Sequence, residues 1–174
     1  MAIDFCYEPG CNGTLRQSAD QPYQYEDDGI PVILLGVTRL TCDTCGAETV
    51  AIPHLAELHE LLASLIVARP GSLAGPEIRF LRKQMGLSSA ALAELLGVSR
   101  EWLSACENDK GRLGQQSDSL LRVRYLLHSG DLSQRLVTMS LDAPRRETPP
   151  PQPYQVPLEL LAQQELRFGC AGHG

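Results

Sequence analysis

Six cysteines occur in this chain of 174 residues, and four of them form two close pairs. Cys6 and Cys11 are spaced C-x4-C; Cys42 and Cys45 are spaced C-x2-C and followed by Gly46. Two thiolate pairs on tight turns, separated by a long insert, have the ligand type and spacing of a tetrahedral zinc site, where each sulfur lies about 2.3 Å from the metal. The glycine after the second pair helps that turn fold back. Four thiolates fill the coordination sphere and leave no position for a substrate, so the expected cofactor is one structural Zn2+. Two other fates stay open. Disulfides would need an oxidising compartment, whereas the opening MAIDFCYEPG reads without the basic start and apolar run of a secretory signal. A redox C-x2-C would leave Cys6 and Cys11 without a role. Of the other two cysteines, Cys106 is expected to be helical and inward. Cys170 with His173 has ligand-like spacing, but two donors do not make a site.

The second constellation is the stretch SAALAELLGVSREWLSACEN from Ser89 to Asn108. Leu92 and Leu96 fall on one face of a first helix, and Ala93 beside them is small enough to let a second helix cross closely. Gly97 ends that helix, since the tight turn calls for a left-handed backbone. Val98 is expected to tuck back into the core, and Ser99 is a good N-cap for the next helix. There Leu103 and Cys106 point inward, leaving Arg100, Glu101, Ser104 and Ala105 outward near the amino end, the end that a helix-turn-helix protein places in the major groove. An ordinary helical hairpin shares the apolar spacing and the turn glycine, but not the whole combination. Arg100 could grip guanine and Glu101 could accept from the cytosine amino group. Glu101 also suits the positive end of its own helix. Trp102, the only tryptophan, is expected to cover the neighbouring helix.

These residues need elements to hold them. PEIRFLRKQMGLS reads as a helix with Ile78 and Leu81 inward, and SDSLLRVRYLLHSG as a closing helix offering Leu120, Leu121, Val123 and Leu126 to the core. Between the cysteine pairs, QPYQYEDDGIPVILLGVTRLTC reads as strands broken at Asp27, Asp28 and Gly29, a small sheet that a metal would have to clamp. PHLAELHELLASLIVA carries Leu55, Leu58, Leu62 and Leu65 at helical spacing and reads as a connector or dimer-contact helix. His54 and His59 on or near it are expected to be solvated. Pro70-Gly71 and Gly75-Pro76 mark a hinge.

Residues 76–130 resemble the Xre/lambda-Cro-like repressors. The resemblance implies a five-helix domain that binds as a dimer to a pseudo-palindromic duplex. It implies a structural ion pair between Arg82 and Glu107, and it puts Ser89 near a phosphate, Arg100, Glu101 and Ala105 over base edges, and Asn108, Lys110 and Arg112 near the backbone. Over about the first 130 residues, the order of cysteine pairs, strands, connector helix and repressor domain resembles the MqsA-type antitoxins with their YgiT-type zinc finger. Cys6, Cys11, Cys42 and Cys45, the Pro22-Tyr23 pair and the VILLGV strand carry that likeness. It implies a bacterial antitoxin that binds an RNA-cleaving toxin and represses its own operon. The first knuckle is two residues longer than the family's usual C-x2-C. At Glu101 and Ala105 the family's MqsA has an asparagine and an arginine, so its operator does not transfer.

Charge follows the same division. Residues 1–70 carry three Lys/Arg against ten Asp/Glu, and residues 71–130 carry eight against six. An acidic N-terminal module would repel DNA and suit either a small basic toxin or simple solubility. No nucleophile elbow, phosphate loop or HExxH occurs, so no enzyme is expected. No apolar run is long enough for a bilayer, and a cytoplasmic protein follows. The expected fold class is α+β: a zinc-clamped β module over residues 1–53, a connector helix and hinge over 54–75, an all-α five-helix helix-turn-helix domain over 76–141, and a proline-rich, largely flexible tail over 142–174. The leading function is a DNA-binding repressor that is an antitoxin and a homodimer. The alternatives are a stand-alone zinc-finger regulator and a zinc-dependent protein-interaction adaptor.

Overall fold

Short strands follow where turn glycines interrupt β-branched and apolar runs. Gly29 (φ 85°) and Gly36 (φ 79°) occupy the left-handed region that the two turns need, and they bracket the run IPVILL. The computed structural model describes residues 5–18, 22–27, 29–52, 54–130 and 153–159. The strands are β1 (Leu15–Ser18), β2 (Tyr23–Asp27), β3 (Ile30–Leu35), β4 (Thr38–Cys42) and β5 (Glu48–Ala51). The helices are α1 (Leu55–Ala68), α2 (Gly75–Gln84), α3 (Ser89–Leu96), α4 (Arg100–Glu107) and α5 (Gln115–Ser129); β6 (Tyr154–Pro157) comes last.

Two three-stranded sheets form, in the orders β1-β4-β5 and β2-β3-β6. The first is antiparallel, with Leu15 opposite Cys42 and Thr38 opposite Ala51. In β3 the period of two is plain, since Ile30, Val32 and Leu34 are buried and their neighbours less so. The sheet β1-β4-β5 differs, because Cys42 is the only buried residue among its described side chains. Little apolar area holds that sheet together, so the force must come from elsewhere.

The chain divides into two compact units, one holding Met1–Tyr25, Val32–Leu58 and Gln155–Gly174, the other Glu26–Pro31 and His59–Tyr154. Four helices lie between residues 76 and 130, counting α2 from Gly75, and the C-terminal part of α1 joins them. The leucine rhythm in α1 is only partly the buried one. Leu58 and Leu62 are buried with Ala63, Ile66 and Val67, while Leu55 and Leu65 are exposed. A stripe stepping by four and five residues turns Leu65 away.

In α5, Leu121 and Leu126 are buried as expected, but Leu120 is exposed and Val123 half-buried. The positions beside the two leucines go to Asp118, Arg122 and Tyr125. Asp118 and Arg122 have a task there. Arg122 Nε donates to Asp118 Oδ1 (2.8 Å), Nη1 to the carbonyls of Val67 (2.7 Å) and Arg69 (2.7 Å), and Nη2 to that of Gly71 (2.7 Å). Asp118 Oδ2 accepts the Leu73 amide (2.8 Å). One buried ion pair therefore satisfies the carbonyl end of α1 and the turn after it.

The proline-rich tail was expected to be largely flexible, yet Tyr154–Pro157 forms β6 in the β2-β3-β6 sheet, with Val156 buried. The Leu158 amide donates to Leu35 O (3.0 Å). Residues 131–152 and 160–174, which include Cys170 and His173, lie outside the described residues. Among the described residues no helix is long and apolar enough to cross a membrane.

Candidate metal centre and exposed helix face

Two turns bring the four cysteines together. In the first, the Cys6 amide donates to Gly13 O (2.8 Å) and the Cys11 amide to Glu8 O (3.0 Å). In the second, the Cys42 amide donates to Ala47 O (2.9 Å) and the Gly46 amide to Cys42 O (3.1 Å), Gly46 having φ 71°. The sulfurs of Cys6, Cys11, Cys42 and Cys45 all lie within 4.8 Å of one another. Cys6 Sγ is 3.6 Å from Cys45 Sγ, and Cys11 Sγ is 3.7 Å from Cys42 Sγ. Four sulfurs placed tetrahedrally around one metal at about 2.3 Å would be about 3.8 Å apart, so the donor set fits a closed thiolate site.

Backbone amides aim at these sulfurs, from Glu8 to Cys6, Gly13 to Cys11 and Thr44 to Cys42, each at 3.4 Å. The amides of Cys45 and Thr44 bring the Cys42 thiol down to about 7, which favours its metal-binding form. Cys6 behaves oppositely. The Glu8 amide lowers its pKa, but desolvation and the neighbouring Cys45, Cys42 and Cys11 push it up to about 12. Without a cation the cluster therefore keeps protons that a metal would displace.

Two residues frame the cluster that sequence reasoning had not singled out. A Cβ on Gly13 would meet Cys42 Sγ at 2.5 Å and Thr44 Oγ1 at 2.6 Å, so only glycine leaves room for the sulfur. Asp43 accepts the Thr14 amide (3.0 Å) and the hydroxyls of Thr14 (2.6 Å) and Thr44 (3.0 Å), which hold its carboxyl below the ordinary range and tie the two turns together. Gly13→Ala is expected to weaken metal binding about 10–100-fold, the usual cost of disturbing the shell around metal ligands. Competition against a chromophoric chelator measures it, and unchanged affinity would refute this packing argument.

On the helical side, Ser88 caps α3 by accepting the Ala91 amide (3.1 Å), and Ser89 is the first helical residue. Gly97 (φ 66°) ends α3, with the Val98 amide donating to Ala93 O (3.0 Å) and Val98 half-buried. Ser99 Oγ accepts the Trp102 amide (3.1 Å) and caps α4. Leu103 and Cys106 are buried; Arg100, Glu101 and Ser104 are exposed, and Ala105 is half-buried.

The far end of α4 is fixed from α2. Arg82 grips Glu107 with two bonds, Nε to Oε1 (2.6 Å) and Nη2 to Oε2 (3.2 Å). Arg79 Nη2 donates to Glu107 O (2.7 Å) and Asn108 Oδ1 (2.9 Å). Asp109 takes the left-handed conformation (φ 56°) that glycine usually fills, and the Lys110 amide closes the turn on Ala105 O (2.9 Å). Its carboxylate explains the choice, because Oδ1 accepts the Gly75 amide (2.7 Å) at the start of α2. A Cβ on Gly75 would lie 2.6 Å from Cys106 O, so the two helices approach as closely as backbone allows.

Other expected side chains have different surroundings. Trp102 leans on Gly111 in the loop after α4, where an added Cβ would meet its ring at 3.0 Å, and it is about half exposed. The Asn108 amide donates to Ser104 O (2.7 Å), so this side chain is committed to ending the helix. Lys110 and Arg112 are exposed. His59 is half-buried, its ring edge-on to Phe80 with centroids 5.9 Å apart. Near the α2 start, Glu77 accepts from Arg69 (2.6 Å), the Ala74 amide (2.7 Å) and the Tyr154 hydroxyl (2.5 Å).

Together these features define an α+β protein with an N-terminal β region, five helices among the described residues, and a four-cysteine cluster that could hold a metal. The chain matches no known family model and no curated protein.

Proposed function

We propose that this chain is a sequence-specific, duplex-DNA-binding repressor whose N-terminal module is clamped by one structural Zn2+, and that it serves as an antitoxin repressing its own operon. The observation that carries the DNA reading is α4, capped by Ser99, pinned at its far end by Arg79 and Arg82, and presenting Arg100, Glu101 and Ser104 outward from its amino end. A helix so fixed can hold Arg100 against guanine O6 and N7 and Glu101 against the cytosine amino group. Ser89, Lys110 and Arg112 serve phosphates. Ala105 faces the base edges, and Asn108 acts by steadying the helix end.

One such helix reads a half-site, so a homodimer on a pseudo-palindrome follows. Exposed Leu120 and Leu127, seven residues apart on α5, offer apolar surface to the second copy. The antitoxin part draws on the likeness to MqsA-type proteins and on the acidity of residues 1–70, which suits a small basic RNA-cleaving partner. A cytoplasmic location belongs to the same reading.

Selection from random duplexes, followed by binding titrations at several salt concentrations, tests the DNA part. Arg100→Ala is expected to cost about 1–3 kcal/mol and relax preference at one base position; Lys110→Ala should weaken all duplexes alike and flatten the salt slope. Equal losses on selected and random DNA for both variants would refute the role of α4. Mild affinity purification from the native cell tests the partner. A stoichiometric small basic protein supports the antitoxin; metal without a partner favours a stand-alone regulator.

A further inference from the structure

The four sulfurs are not equivalent. Cys6, Cys11 and Cys42 each accept a backbone amide, from Glu8, Gly13 and Thr44. Cys45 accepts none among the described contacts, and it is the exposed member of the cluster, whereas Cys42 is buried. A shallow depression lined by Glu8, Pro9, Gly10, Cys11, Thr44 and Cys45 opens beside it. An amide aimed at a thiolate stabilises the charge and blunts its nucleophilicity. A bound metal keeps a cysteine deprotonated at neutral pH, so the exposed sulfur lacking an amide is the one most open to attack an oxidant.

From this asymmetry we infer that Cys45 is a modification site for hydroperoxides and that Cys6, with its sulfur 3.6 Å away, resolves the product. The inference rests on the reading of the cluster as a metal-thiolate centre. The Cys45 thiolate attacks one peroxide oxygen, the O–O bond breaks, and the sulfur becomes a sulfenic acid while hydroxide or alkoxide leaves and takes a proton from water. The Cys6 thiolate then attacks the Cys45 sulfur, forming the S–S bond and expelling hydroxide. Two thiolates lose two electrons and one peroxide gains them. The metal keeps only Cys11 and Cys42 and dissociates. Cys11 and Cys42 are as close to each other, at 3.7 Å, but both carry amides and Cys42 is buried, so they form the slower pair.

The test uses the full chain, whose metal content is measured first. Hydrogen peroxide is then added, metal release is followed with a chromophoric chelator, and disulfides are located by peptide mass mapping. The expected result is one metal released per chain as two hydrogens are lost, in a peptide pair joining Cys6 and Cys45. A first link between Cys11 and Cys42, or metal retained while Cys106 or Cys170 oxidises, overturns the inference. Cys45→His keeps a metal ligand at this corner where Cys45→Ser risks an unfolded module, and it should slow release about tenfold. Unchanged release from a metal-loaded histidine variant also overturns it. A chain that carries no metal before peroxide overturns the metal reading itself and so is told apart from a failure of Cys45.

Discussion

Asp118→Ala is expected to destabilise the helical unit by about 3–5 kcal/mol, the cost of removing one partner from a buried ion pair. Both side chains are almost wholly buried, at 1% exposure for Asp118 and 4% for Arg122. The substitution strands the Arg122 guanidinium among carbonyls with no counter-charge, and it leaves the Leu73 amide without its acceptor. A simple buried pair can often be replaced on both sides by apolar residues at no net loss. Here that remedy fails, because Arg122 also serves the carbonyls of Val67, Arg69 and Gly71. The double variant Asp118→Leu with Arg122→Met should therefore stay well below the parent in stability. Urea unfolding of the three proteins, followed through helical signal, measures both effects. Full recovery in the double variant would mean that the pair answers only to itself and does not hold α1 to the turn after it.

What the sequence disclosed was chiefly local. Leu92, Leu96, Gly97, Ser99 and Leu103 lie within a few residues of one another, and their spacing alone dictates helix, turn and cap; the structure has each in that role. The cysteine pairs were legible for the same reason. Long-range demands were not. Asp118 and Arg122 are four apart on a helix, a pattern that ordinarily marks a solvated surface pair, and only the carbonyls of residues 66–71 turn it into a core feature. Gly13 has no unusual backbone to announce it; its need arises from a sulfur 29 residues later in the chain. Asp109 fills a position where glycine is the usual signal, because its carboxylate is wanted by Gly75. In α1 the regular leucines outshone Ile66 and Val67, which share the buried stripe with Leu58 and Leu62 while Leu55 and Leu65 are exposed. The prolines before Tyr154 argued against any strand, yet proline is tolerated on an edge strand, and β6, which ends at Pro157, lies at the edge of its sheet.

Stripping the metal, or replacing Cys42 with serine, should unfold the sheet β1-β4-β5 with its two turns and leave the helical unit folded. Burial carries the argument. Among the described side chains of that sheet only Cys42 is buried, and Phe5 and Tyr7 before it are exposed at 71% and 53%. Among the described residues that sheet has no apolar core of its own to stand in for a metal, whose binding in small structural zinc sites supplies about 10–16 kcal/mol. The helical unit has its own core of Phe80, Leu81, Leu92, Leu103, Leu121 and Leu126. Amide exchange on the full chain, with and without a strong chelator, separates the two cases. Protection in β1, β4 and β5 should vanish while that in α2 to α5 persists, and a sheet that stays protected without metal would defeat the clamp. The same thiols set the pH dependence. Cys6, raised to about 12, holds its proton at neutral pH in the metal-free cluster, so the metal must displace it and affinity rises with pH through neutrality. Below about 7 Cys42 is protonated as well, so a further proton must leave and the decline with acid steepens. Acidification is therefore expected to release the metal and to unfold this sheet first, while the helices keep their structure.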